Sequence, residues 1–193
     1  MRTMNNRGLL RRQIKAAWVE TMRETYLTQT INSERSLQVH LVARLLQAVK
    51  DDRVNRRMFI EPKLLVNGGE TRLYPDILVC NTRSIIGVIE IKYQPNVRPN
   101  FLKDFQTLEI LATETDPVEI VNNRYRGPDK GAKTYTLAAD ALYVWAGVYA
   151  APLRTIPSEA PSEELRQKLL VLHGVTYKDR APDFYAGSRP IGQ

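Results

Sequence analysis

Tyr74-Pro75-Asp76-Ile77-Leu78-Val79 and Ile85-Ile86-Gly87-Val88-Ile89-Glu90-Ile91-Lys92 set three charged side chains inside two apolar, strand-like runs. Asp, Glu and Lys are rarely fully buried unless they are paired, hydrogen-bonded or bound to a metal, because stripping water from a lone charge is costly. Side chains alternate across a strand, so Glu90 and Lys92 leave from one face while Ile89 and Ile91 leave from the other. Asn81-Thr82-Arg83-Ser84 separates two runs of hairpin length, which predicts antiparallel neighbours and a point where Asp76, Glu90 and Lys92 meet. Two carboxylates suit a hard divalent cation such as magnesium. A nearby ammonium suits orienting a water or steadying the charge that develops on a phosphate.

Working outward, the spacing of apolar residues predicts a helix from Leu9 to Tyr26, with Leu10, Ile14, Ala17, Trp18 and Met22 on one side and Arg7, Arg11, Arg12 and Lys15 near its start. A second helix, capped by Asn32 or Ser33, runs from Glu34 to about Lys50 on a stripe of Leu37, Leu41, Leu45 and Val49 with Val42 and Leu46. Glu34 lies one turn before Leu37 and Gln38, at the edge of the buried face; acids also favour the first turn of any helix because they complement its dipole. Asp51 to Arg57 is a polar link. Met58 to Val66 reads as one strand, Asn67-Gly68-Gly69 as a tight turn, and Thr71 to Cys80 as the strand that carries Asp76. Gln94-Pro95 and Arg98-Pro99 break the chain before a helix from about Asn100 to Thr113, with Phe101, Leu102, Phe105, Leu108 and Leu111 at helical spacing. Asp116 to Lys133 reads as a loop, Leu142 to Tyr149 as a buried strand, Pro161 to Leu170 as a helix and Leu170 to Tyr177 as a last strand. The tail from Arg180 to Gln193 is expected to be extended and partly ordered. These elements make an α/β fold, with an α+β arrangement left open by the pattern alone.

Pro75-Asp76 followed by Glu90-Ile91-Lys92 resembles the signature of the PD-(D/E)XK nucleases, the restriction-endonuclease-like superfamily. The chain carries its own decoys. Glu61-Pro62-Lys63 is a second Glu-x-Lys, but its proline cannot donate to a sheet ladder and no Pro-Asp precedes it. Pro128-Asp129 and Pro182-Asp183 repeat the dipeptide without an acid-x-Lys after it. The resemblance implies a restriction-endonuclease-like core, a mixed central sheet flanked by helices in the order αβββαβ, here with an extra N-terminal helix. Residues 1–28 would be that appendage, 29–177 the core and 178–193 the tail of a single domain. It further implies a magnesium- or manganese-dependent nuclease that hydrolyses nucleic acid, DNA ahead of RNA, by metal-activated water, leaving 5′-phosphate and 3′-hydroxyl ends. Asp76 and Glu90 would bind the metal, with Glu34 and the Ile91 carbonyl as further ligands, and Lys92 would orient the water or stabilise the transition state. The rival on the same fold is a catalytically inactive binding or regulatory subunit. A third reading takes the charges as a buried structural ion pair in an unrelated protein.

Composition agrees with a polyanionic partner: 28 Lys+Arg against 21 Asp+Glu give a formal charge of +7. The single cysteine, Cys80, excludes an internal disulfide and a cysteine-based zinc site, and its place on an apolar strand predicts a core thiol. The apolar run around Ala141 to Pro152 is too short for a membrane span, so no membrane partner and an intracellular setting are expected. Dimerisation would allow cuts in both strands, although no heptad marks an interface. His40 falls on the polar side of its helix, and His173 in a strand without a ligand pattern. Asp104 and Gln106 occupy the helix after Lys92, where relatives of the resembled family place supporting polar groups. Lys63, Arg98 and Lys103 are candidates for phosphate contact, and Tyr93, Tyr125 and Tyr135 for stacking on bases, with solvation and core packing as the ordinary alternatives.

Overall fold

The structure, a computed structural model, describes residues 6–121, 126, 133–154 and 161–191. It is a mixed α/β fold whose ten-stranded, mostly antiparallel sheet is flanked by helices on both faces. In chain order the elements are α1 (Asn6–Glu20), continued by a π-helical turn (Thr21–Tyr26), and α2 (Glu34–Asp51). The strands β1 (Arg57–Ile60), β2 (Lys63–Val66), β3 (Thr71–Leu73), β4 (Ile77–Cys80) and β5 (Ser84–Gln94) follow. Then come α3 (Leu102–Thr113), β6 (Val118–Val121), β7 (Lys133–Ala150), α4 (Glu163–Lys168), β8 (Leu169–Thr176), β9 (Asp183–Ala186) and β10 (Arg189–Pro190).

The main path through the sheet is β1, β4, β5, β7, β8, β9, β10. β4 runs antiparallel to both β1 and β5, whereas β5, β7 and β8 are parallel to one another. The first three residues of β7, Lys133 to Tyr135, pair instead with β6, and β2 and β3 extend that branch. Alternation along the strands divides the core. Ile86, Ile89 and Ile91 of β5, with Leu142, Val144, Ala146 and Val148 of β7, pack under α1 and α2. Val88 of β5, with Tyr143, Trp145 and Tyr149 of β7, packs under α3 and α4. Trp18, Leu10 and Ile14 of α1 and Leu37, Leu41 and Leu45 of α2 are fully buried, as their spacing predicts, whereas Leu46 and Leu102 face solvent.

Four expectations change. The expected strand Met58–Val66 is two strands on different parts of the sheet, because Glu61 takes a left-handed conformation (φ 46°) and Pro62 lacks the N–H a ladder needs. The Glu61 N–H donates instead to the Asp76 carbonyl at 2.9 Å. The expected strand Thr71–Cys80 is likewise interrupted at Tyr74-Pro75-Asp76, so Asp76 stands immediately before β4 rather than within a strand. The region expected to be a loop after Asp116 contains β6, and β7 begins well before Leu142. Tyr125 and the Pro128-Asp129 decoy lie outside the described residues. The tail is a hairpin rather than a free extension: β9 and β10 turn at Gly187 (φ 62°), and β9 pairs with β8. No helix among the described residues is long and apolar enough to cross a membrane.

Candidate active site

The site forms where β4 ends and β5 continues. Ile77 of β4 pairs with Ile89 of β5, and the β4 ladder stops there, so the N–H groups of Ile91 and Tyr93 lose their strand partner. Two carboxylates take its place. Asp76 Oδ2 accepts the Ile91 N–H at 2.6 Å, and Glu34 Oε2 accepts the Tyr93 N–H at 3.1 Å. A strand residue's N–H and C=O leave on the same edge, so the Ile91 carbonyl opens on the edge where Asp76 stands. Gln38, buried on α2, fixes the other side of this residue by donating to the Asp76 carbonyl at 3.1 Å.

Glu34 reaches β5 because the start of α2 is held in register. Ser33 accepts the Ser36 N–H and the Ser36 hydroxyl accepts the Ser33 N–H, a reciprocal cap that leaves Glu34 in the first turn. The Tyr93 hydroxyl ties the preceding segment down by donating to the Ile31 carbonyl at 3.0 Å.

Glu90 and Lys92 leave β5 on the α3 side of the sheet. Glu90 is 6 % exposed, and its Oε1 has no hydrogen-bond partner among the described residues. Burial, reinforced by the charges of Asp76 and Asp104, pushes its carboxyl up to about 9. Asp76 is pushed up to about 6, again chiefly by burial, with the Ile91 N–H opposing the shift and the charges of Glu34 and Asp104 adding to it. Both acids therefore hold a proton more readily than they do in water. A cation in their midst would remove the same penalty.

Lys92 supplies the local positive charge. Its Nζ lies 3.2 Å from Asp104 Oδ1 and 4.0 Å from Glu34 Oε2. Burial alone would lower its proton affinity; the charges of Asp104 and Glu34 outweigh that and raise it, so the amine is an ammonium. Asp104, 6 % exposed, is held from its other oxygen by the Trp145 indole N–H at 3.1 Å. Trp145 lies beside Glu90 in the β5–β7 register, and Gly147 lies beside Lys92. A Cβ at Gly147 would fall 2.1 Å from Cη2 of Trp145, so the indole occupies the space a side chain would need there.

The donor set fits a hard cation: the buried Glu90 and the half-buried Asp76 carboxyls share their surroundings with the Ile91 carbonyl, and one Glu90 oxygen lacks a partner among the described residues. Among the described residues no group of three or more His, Cys, Asp or Glu side chains is gathered closely enough to hold a metal by side chains alone. Any cation here would need a backbone or solvent oxygen beside Asp76 and Glu90.

Asp76, Glu90, Lys92 and Glu34 are thus brought together, and Ile91 lies between them. Of the two α3 candidates, Asp104 enters the cluster and Gln106 faces solvent. Gln38, Trp145 and Gly147 carry no sequence motif; the only signal was a glycine two places after a tryptophan in an apolar run. His40 is half-buried on α2, and His173 is buried in a separate contact with Tyr149. Tyr135 is buried edge-on to Phe59, which removes it as a base-stacking surface, while Tyr93 is half-buried. Lys103 and Arg98 are exposed, and Lys63 is half-buried on β2. Burial pushes the Cys80 thiol up to about 12, which makes it an inert core residue. No protein-family model matches the chain, and no curated protein matches it.

Proposed function

We propose that the protein is a metal-dependent nuclease that hydrolyses phosphodiester bonds of nucleic acid, DNA ahead of RNA. The observation that carries this reading is the bare, buried Glu90 carboxylate facing Asp76, with a tethered ammonium beside them. Trp18 Nε1, Thr21 Oγ1 and two Arg154 nitrogens are buried without partners among the described residues as well, but only at Glu90 does the orphan atom belong to an acid set against further acids and an ammonium. The element order supports the same reading. With the β2–β3 hairpin and β6, which pair with one another at the side of the sheet, taken as insertions, α2, β1, β4, β5, α3 and β7 run helix, three strands, helix, strand, as in the PD-(D/E)XK core that the Pro75-Asp76 and Glu90-Ile91-Lys92 residues resemble.

Asp76, Glu90 and the Ile91 carbonyl are the residues to hold magnesium or manganese, with Glu34 at the margin. A bound divalent cation lowers the pKa of a coordinated water and polarises a phosphoryl oxygen. The protein's own residues do the rest. Asp76 and Glu90, whose proton affinity burial raises, would give up their protons more readily with a cation held between them. Lys92 donates from its ammonium to the attacking water or to the phosphoryl oxygen on which charge builds. Attack in line with the leaving 3′-oxygen forms the new P–O bond as the old one breaks, leaving a 5′-phosphate and a 3′-hydroxyl.

The test is cleavage of a panel of DNA and RNA substrates with magnesium, manganese or chelator, with Asp76→Ala as control. Metal-dependent cleavage that the variant lacks is expected. Equal activity of parent and variant would overturn the reading. No cleavage, with tight nucleic-acid binding and no calorimetric metal uptake, would favour an inactive binding subunit on the same fold.

A further inference from the structure

Lys92 sits at the end of a chain of contacts that begins with a missing side chain. Gly147 leaves room for the Trp145 ring, the ring aims its N–H at Asp104 Oδ2, and the other carboxylate oxygen meets Lys92 Nζ. Each partner is fixed from a different element: Lys92 by β5, Trp145 by β7 and Asp104 by α3. Phe101 packs edge-on against the indole and Phe105 stacks on it, so the ring has little freedom to turn. A lysine on a four-carbon stem has many rotamers, and holding one of them costs entropy unless a partner defines it. Glu34 does this poorly, since it is half-exposed, lies 4.0 Å away and already accepts the Tyr93 N–H.

We propose that Asp104, locked by Trp145, is the positioning residue that holds the Lys92 ammonium beside the Asp76 and Glu90 carboxylates. The proposal rests on the nuclease reading for its catalytic consequence, but the tether itself does not. Asp104 touches no reacting atom and acts only through Lys92. An asparagine at this position keeps the size and an oxygen for the indole N–H while removing the charge that holds the ammonium.

Two readouts test this on the full-length protein. In the first, steady-state cleavage is compared for the parent, Asp104→Asn, Asp104→Glu and Trp145→Phe. A misplaced catalytic group costs on the order of 100-fold, so Asp104→Asn is expected to lower kcat by about that factor while KM holds. Asp104→Glu recovers most of the loss, and Trp145→Phe lies between Asp104→Asn and the parent. In the second, 15N-lysine NMR follows the Lys92 ammonium, assigned through Lys92→Arg. A tethered ammonium exchanges its protons slowly enough to give a signal, and Asp104→Asn is expected to lose it while the thermal melt stays near that of the parent.

Parent-like kcat and a retained signal in Asp104→Asn would overturn the proposal. Loss of the signal in a protein whose parent cleaves nothing would leave the tether standing and remove the nuclease reading. If Asp104→Asn does not fold, Trp145→Phe carries both measurements, and parent-like values there overturn the proposal.

Discussion

Two polar clusters lie on the α3 side of the sheet, one built around a neutral ring and the other around crowded acids. Around His173 the ring and the Tyr149 hydroxyl answer each other, while the neighbouring Arg154 side chain keeps Nε and Nη2 buried without a partner among the described residues. The Arg154 backbone N–H donates to the Tyr149 hydroxyl at 3.0 Å, and that hydroxyl shares a hydrogen bond with His173 Nδ1 at 2.7 Å. Burial pushes His173 down to about 4, so it is neutral and satisfied at ordinary pH. Around Glu90 like charges crowd instead: Glu34, Asp76, Glu90 and Asp104 surround one ammonium, a carboxylate oxygen is bare, and both Asp76 and Glu90 are pushed toward protonation. An orphaned buried atom does not by itself mark a site, since Arg154 carries two; what sets the Glu90 cluster apart is that its orphan belongs to an acid crowded by other acids, an arrangement a cation would relieve.

The largest effect that can break this contrast is on turnover. Asp76→Ala and Lys92→Ala should each reduce cleavage by on the order of a thousandfold, with circular dichroism and melting close to the parent because neither side chain packs much core. Cleavage at the parental rate would place the chemistry elsewhere and reduce the Glu90 cluster to an ion pair. His173→Gln should leave turnover unchanged.

The next effect is on acid stability and belongs to the other cluster. The unfolded chain protonates His173 near 6.5, whereas the folded chain resists until about 4. Between those values the unfolded state binds more protons, so stability present above pH 6.5 is lost as pH falls, by up to about 3 kcal/mol. Urea melts at pH 7 and pH 4.5 should show a smaller acid loss for His173→Gln than for the parent. Identical slopes would mean that His173 already takes a proton in the fold.

Gly147→Ala tests the seam between the two regions, because Trp145 also packs against His173 and Tyr149. Forcing a methyl into the indole should cost about 2 kcal/mol in urea unfolding, together with a drop in cleavage beyond what that loss explains. A stable variant with parental turnover would show that the indole can move without disturbing Lys92.

How much of this was legible follows from which contacts are local. The hairpin of β4 and β5 brings Asp76 opposite Glu90 through a short turn, and strand alternation then fixes which face Glu90 and Lys92 share; both are properties of consecutive residues. Glu34 was legible through its cap. The Asp104–Trp145–Gly147 seam was not, since it joins α3 to β7 across the fold and an acid on a helix is ordinary until its partner is known. The breaks at Glu61-Pro62 and Tyr74-Pro75 were hidden differently. Apolar runs on both sides looked continuous, while the prolines and a left-handed Glu61 redirect the chain into separate parts of the sheet.

The smallest effect is the most direct test of the contrast. Glu90→Gln keeps the shape of the side chain but removes a carboxyl that burial beside Asp76 and Asp104 pushes up to about 9, so that it must take up a proton on folding at pH 7. In chelator at pH 7 the variant should therefore melt higher than the parent, by about 1 kcal/mol of stability, since the parent's carboxyl is ionised in the unfolded chain and must bind a proton to fold, whereas the amide need not. Magnesium should reverse the order: the parent gains stability as the cation binds only the folded form, and the variant gains little. The sign change between the two conditions is the point. A structural carboxylate would make the substitution destabilising in both, and a carboxylate without a cation to hold would make it stabilising in both.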